Sequence, residues 1–142
     1  MEPAIHSGDL AWVNPWAYRQ HLPARGDMIV FIGGPYGELM FKRVIGLPGE
    51  QVAILDEKVF IDGIPLAESY IDQPTRSGRV KSLNLSEHQV YVLGDNRNHS
   101  NDSRSFGPVS LDSITGKVVF VLSPDRMYLM PEVSYPTAGK VP

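Results

Sequence analysis

Cysteine is absent from the 142 residues. That excludes disulfides, a thiolate nucleophile and thiolate metal ligation. No run approaches the roughly 18–20 apolar residues needed to span a bilayer, and no signal-peptide pattern opens the chain. The polypeptide as given therefore reads as soluble or peripheral. Blocks of like charge and low-complexity segments are missing as well. Lys and Arg number 13 against 16 Asp and Glu, a net charge of −3. With no basic footprint, nucleic acid is not the expected partner. The four histidines, His6, His21, His88 and His99, lack zinc-ligand spacing, so neither a metal nor a cofactor is implied. No window carries the 3.6-residue apolar period of an amphipathic helix; Pro15–Arg19 has room for one turn.

What is present is punctuation. Thirteen Gly and 12 Pro favour short strands joined by turns. The 42% hydrophobic content suffices for one domain, which at this length buries roughly 68–70% of its unfolded surface. Strands are expected over Leu10–Val13, Met28–Ile32, Leu39–Ile45, Gln51–Leu55, Lys58–Ile61, Val90–Leu93 and Lys117–Leu122. Asp62-Gly63 is a two-residue hairpin signal. The near-continuous apolar run Lys117–Leu122 reads as a strand buried on both faces, and Met127–Met130 as a last short strand. Gly-Asp borders three strands, at 8–9, 26–27 and 94–95; the pair is a common turn. Between Gln51 and His88 the composition turns more polar, with an irregular stretch at Gln73–Leu85. The organisation expected is a β core of 1–50 and 89–130, a small inserted subdomain at 51–88 and an irregular tail at 131–142.

The densest chemistry is Gly94-Asp-Asn-Arg-Asn-His-Ser-Asn-Asp-Ser-Arg104, eleven residues with no apolar side chain. Its two Asp and two Arg can neutralise one another. It is either a solvated turn or the wall of a site. A calcium loop is disfavoured, because Arg97 occupies an alternate ligand position after Asp95. Asn-x-Ser sequons at Asn84, Asn98 and Asn101 matter only in a eukaryotic secretory compartment. Lys42 is the second candidate. In a strand, Met40, Lys42 and Val44 share one face and Phe41, Arg43 and Ile45 the other. Two cations snorkelling from an edge strand would satisfy this pattern. So would a desolvated lysine, whose lowered pKa makes the neutral amine a usable general base. Such a base needs a hydroxyl nucleophile, and spacing alone does not choose one.

Together these segments resemble one family. Met1-Glu-Pro-Ala-Ile-His-Ser-Gly-Asp9 is similar to the first box of type I signal peptidases, Arg25–Phe31 to the next, and Lys42–Glu50 to the lysine box. Gly94–Arg104 followed by Phe106-Gly-Pro-Val109 resembles the last box. The order and approximate spacing agree, and the resemblance covers most of the chain outside 51–88. It implies a mostly β fold of the signal peptidase and LexA-like type, with twisted antiparallel sheets or a partly open barrel. It implies a serine–lysine dyad protease that removes signal peptides from exported preproteins at the outer face of the cytoplasmic membrane. Lys42 then matches the general base and Ser100 a serine that orients it. Asp95, Arg97, Asp102 and Arg104 match the residues bracing the site. Met1, Ile5, Val30, Met40 and Phe41 match positions near the shallow pockets for small residues before the scissile bond.

The chain departs from the family in one place. The family's nucleophilic serine lies immediately before Met1, and an oxyanion-binding residue and a membrane helix lie further upstream. The 142 residues are therefore expected to be inactive by themselves. They fit a trimmed catalytic domain, a misassigned start or an inactive relative, and the intact base and loop favour the first two. Ala4 replaces the usual threonine. A self-cleaving LexA-type protein would lack the polar loop and would need an Ala-Gly or Cys-Gly segment; the nearest is Ala138-Gly139 in the tail. A non-catalytic relative is the alternative from another class. It would bind peptides by strand addition or dock on a membrane, with Trp12, Trp16 and Tyr18 at the headgroup layer.

Overall fold

The computed structural model describes residues 1–75 and 80–130. Eleven strands follow in order among them: β1 Leu10–Asn14, β2 Met28–Gly33, β3 Glu38–Gly46, β4 Gln51–Leu55, β5 Lys58–Ile61, β6 Ile64–Pro65, β7 Val80–Asn84, β8 Gln89–Leu93, β9 Val109–Ser110, β10 Ile114–Ser123 and β11 Arg126–Leu129. One helical turn, α1 Ser103–Phe106, precedes β9, and a 3₁₀ turn at Leu111–Ser113 follows it. The irregular tail expected over 131–142, with its Ala138-Gly139, lies outside the described residues.

All strand pairings are antiparallel, in two sheets that do not close into a barrel. The larger runs β1-β10-β2-β3-β8-β9, with β11 also on β10. The smaller runs β6-β5-β4-β7. Its hairpins are two-residue turns. Asp62 and Gly63 both have positive φ, the backbone expected of Asp-Gly in a type I′ turn. Asp56 and Glu57 adopt the same hand without a glycine, which is why the first of the two turns is less legible. The two sheets share a core: Val52, Ile54, Val59 and Ile61 of the smaller pack with Ile45, Tyr91 and Leu93 of the larger. A second cluster holds Ile29, Phe31, Val44, Val90 and Val92. A third holds Met28, Val30, Val118 and Val121, on which Met1, Ala4 and Ile5 rest.

Two expectations change. Val80–Asn84, expected to be irregular, is a strand hydrogen-bonded to β4 with a register shift between Val52 and Ile54; three polar residues in the five mask its alternation. Lys117–Leu122 is not buried on both faces. Val118 and Val121 are buried, whereas Leu122 is 43% exposed. The outer face of this strand is apolar and open: Leu122 lies between Leu10 and Met127, and Phe120 between Trp12 and Leu129. Trp12 stacks on Phe120 at 5.7 Å between ring centroids.

The Gly-Asp pairs divide into two kinds. Gly8 and Gly26 have positive φ and are turns. Asp9 accepts the His6 N–H at 2.9 Å and the Ser123 hydroxyl at 2.7 Å, tying the first residues to the end of β10. Asp27 accepts Tyr18 Oη at 2.9 Å and binds Lys117 Nζ at 2.8 Å. The third glycine, Gly94, is required by close packing: a Cβ there would lie 2.1 Å from Ser100 Oγ.

Gly46 marks the seam between the sheets. A Cβ at this position would stand 2.5 Å from Val52 Cγ2 and 2.8 Å from Leu85 Cδ1. Gly46→Ala is expected to destabilise the protein by about 1–3 kcal/mol through overpacking. Urea unfolding should show a lower midpoint at unchanged slope; an unaltered midpoint would mean that the seam is loosely packed.

Candidate active site

β8 delivers the chain into the polar loop, and the loop is held by three buried arginine–carboxylate pairs. Asp102 accepts from Arg104 Nε at 2.8 Å and Nη2 at 2.7 Å, and from the backbone N–H of Gly94 at 3.0 Å. It also caps α1 by accepting the Arg104 N–H, satisfying a donor that the short turn leaves open. Ser103 Oγ accepts the Val92 N–H at 2.9 Å and pins the turn back onto β8. Burial pushes the Asp102 carboxyl up, but the Arg104 hydrogen bond, the Gly94 N–H and the Arg104 charge outweigh it, and the net direction is down.

The expected neutralisation within the loop holds only for Asp102 and Arg104. Asp95 is claimed by Arg43 of β3, through Nε at 2.8 Å and Nη2 at 2.6 Å, and Arg43 also donates to Gly26 O at 2.9 Å. Both side chains are essentially fully buried, at 2% and 0% exposure. Arg97 turns to Glu68, Thr75 Oγ1 at 2.8 Å and Gly94 O at 3.0 Å. The ring of Tyr70 lies 4.4 Å from the Arg43 guanidinium. Arg43, Glu68, Tyr70 and Thr75 are absent from the residues expected at the site. For Arg43 a signal existed, a cation on the apolar face opposite Lys42. For the other three no local pattern marks them, because the arginines they meet are 22 or more residues away.

Lys42 is half-buried on β3, opposite Ile29 of β2. Burial holds its amine below the ordinary lysine range; the charges of Asp102 and Asp95 oppose that, and Arg104 reinforces it. The Met1 amine is likewise lowered, first by burial and then by the charge of Lys42. Met1 and Lys42 thus lie close together on one cleft. Met1, Ile5, Met40, Phe41 and Lys42 line one cleft of about 400 Å³ with His6, Ser7 and Leu39. Val30 does not reach it; at 4% exposure it lies in the core under Met1, Ile5 and Phe41. Ser100 Oγ is buried and faces the Asp102 carboxylate, which it helps to hold down; in this arrangement it is not bonded to the Lys42 amine. Among the described residues no cluster of three or more His, Asp or Glu is placed to hold a metal.

Known proteins resemble this chain in sequence and fold. The family model described as "Signal peptidase, peptidase S26" matches residues 1–123. The chain is 37% identical to probable signal peptidase I-1 of Synechocystis sp. over 87% of its own length and 67% of the relative's. It is 38% identical to signal peptidase I of Leptolyngbya laminosa over 84% of its length, spanning 62% of that protein. The crystal structure of a signal peptidase I from Enterococcus faecalis superposes with a TM-score of 0.60 at 34% identity, covering 68% of this chain and 96% of the other. The chain belongs to the signal peptidase family, peptidase S26.

Proposed function

We propose that this chain is the catalytic part of a serine endopeptidase that removes N-terminal signal peptides from exported preproteins, with Lys42 as general base. The observation that carries the reading is the half-buried Lys42 amine, depressed by desolvation and set beside the Met1 amine. In this reading the nucleophile is the serine that the family carries directly before the position of Met1. The catalytic core is 1–50 and 89–130, with 51–88 as an inserted unit. Supporting that division, the smaller sheet draws all its strands from 51–84.

Neutral Lys42 takes the serine hydroxyl proton as the oxygen bonds to the scissile carbonyl carbon and the carbonyl electron pair moves onto its oxygen. The ammonium returns that proton to the departing amine as the carbon–nitrogen bond breaks. This leaves an acyl ester on the serine. The amine, neutral again, deprotonates the water that hydrolyses the ester, and the proton passes back to the serine oxygen. Ser100, whose hydroxyl is buried, turns toward Lys42 and orients it. Asp95, Arg97, Asp102 and Arg104 keep the wall rigid and internally neutral. The cleft of Met1, Ile5, Met40 and Phe41 takes the small residues before the cut, because it is apolar and shallow.

The partner surface is the membrane. Leu10, Trp12, Leu122, Met127 and Leu129 are 43–74% exposed on one sheet face. Trp16, 62% exposed, adds a second indole. Such a face is suited to the headgroup layer. Among the described residues no helix is long and apolar enough to cross a membrane. In this reading a membrane helix upstream of Met1 holds the catalytic part at the outer face of the cytoplasmic membrane.

Two experiments test this. With a serine placed before Met1, the protein is expected to cleave a signal-peptide substrate, and Lys42→Ala to lower the rate by at least about 10²-fold. Because the amine must be neutral, the rate should rise with pH through a midpoint below the ordinary lysine value. Cleavage retained in Lys42→Ala would remove the dyad, and no cleavage by the serine-bearing protein would favour the non-catalytic binding relative. Separately, Trp12→Ser with Leu129→Ser should weaken binding to phosphatidylglycerol-containing vesicles by about tenfold or more, since each buried apolar side chain is worth roughly 1.5–3 kcal/mol. Unchanged vesicle binding would remove the docking face.

A further inference from the structure

The wall of the site is not self-supporting. Its two innermost guanidiniums, of Arg43 and Arg97, are both covered by one segment, Leu66–Thr75, that belongs to neither β3 nor the polar loop. Glu68 meets Arg97 through both oxygens, in a pair exposed by 6% and 0%. Thr75 Oγ1 accepts a further Arg97 hydrogen at 2.8 Å. Tyr70 donates its hydroxyl to Glu68 at 2.7 Å while its ring covers Arg43 at 4.4 Å. Leu66 and Tyr70 are anchored in the core shared by the two sheets.

We propose that Leu66–Thr75 is a positioning strap, in which Glu68 and Tyr70 fix Arg97 and Arg43 and through them hold the polar loop closed over Lys42. The path is continuous. Glu68 holds Arg97; Arg97 holds Gly94 O at 3.0 Å; Gly94 N–H holds Asp102 at 3.0 Å. On the other side Tyr70 covers Arg43, and Arg43 holds Asp95. Asp102 and Asp95, with Arg104 and the Met1 amine, are the charges that act on Lys42. A buried guanidinium that loses its carboxylate cannot stay where it is, because an unpaired buried charge is costly. Removing Glu68 therefore sends Arg97 toward water, releases Gly94 O and loosens the loop. Lys42, already half-buried rather than sealed, then loses further cover. Desolvation is the largest force holding its amine down, so opening the loop raises the titration midpoint and shifts the neutral base to higher pH.

The strap rests on the general-base reading of Lys42, and one titration separates the two. The Lys42 side-chain amine is followed by NMR against pH in the 142-residue chain and in Glu68→Ala, Glu68→Gln and Tyr70→Phe. The chain itself should titrate below the ordinary lysine range. Glu68→Ala should raise its midpoint by at least about half a pH unit, with Glu68→Gln in between, because an amide keeps one acceptor for Arg97. Tyr70→Phe retains the ring over Arg43 and should shift least. In the serine-bearing protein, Glu68→Ala should cleave more slowly near neutrality, and its deficit should narrow as pH rises; a fold defect would not be relieved by pH. An ordinary midpoint in the parent chain overturns the base reading. A depressed parent midpoint that none of the three substitutions moves overturns the strap. If Glu68→Ala does not fold, Glu68→Gln and Tyr70→Phe decide by the same criterion.

Discussion

The pair between Arg43 and Asp95 is the interaction from which the site is built. Arg43 follows Lys42 on β3, and Asp95 is the first charged residue of the polar loop, 52 positions later. Two bonds between their planar groups, with the side chains 2% and 0% exposed, fix both distance and orientation. Lys42 and the loop are thereby set in one frame. Such a pair contributes little net stability, since desolvation offsets most of the attraction. Its effect is geometric: β3 and the loop have one low-energy way to meet, and any other leaves a charge buried and unpaired.

That frame explains how a charged wall can surround Lys42 while its pKa is still held down by burial. Asp95, Asp102 and Glu68 each face an arginine. Their fields are largely cancelled at short range, so burial governs the Lys42 amine and the residual pull of Asp102 and Asp95 does not reverse it. An unpaired carboxylate in the same place would favour the ammonium. In the proposed general-base reading the arginines therefore help set the Lys42 pKa, although none of them exchanges a proton.

Most strands were legible because each is a short apolar run ended by Gly, Pro or a turn pair; Gln51–Leu55 and Lys58–Ile61 match residue for residue. Val80–Asn84 was not legible, because its place in a sheet comes from pairing with β4 and not from its own alternation. The one-faced burial of β10 was hidden for a similar reason. An apolar side chain reads the same whether a neighbour covers it or not, and the outer face of β1, β10 and β11 has no covering layer among the described residues. Lys42 and the loop carboxylates could be singled out locally, one by its apolar strand and the others by their density.

The sequence by itself determined the elements and their polarity: short antiparallel strands, a polar loop behind a buried strand, a lysine among large apolar residues, and boxes in the order of the signal peptidase family. These are local properties, set by side-chain type and spacing. Only the tertiary structure decided the partners. Arg43 takes Asp95, Glu68 takes Arg97, and only Asp102 and Arg104 pair within the loop. Charge pairing is a matter of distance in space, and every like-sized carboxylate is an equal candidate until the fold brings one guanidinium to it and shuts out water.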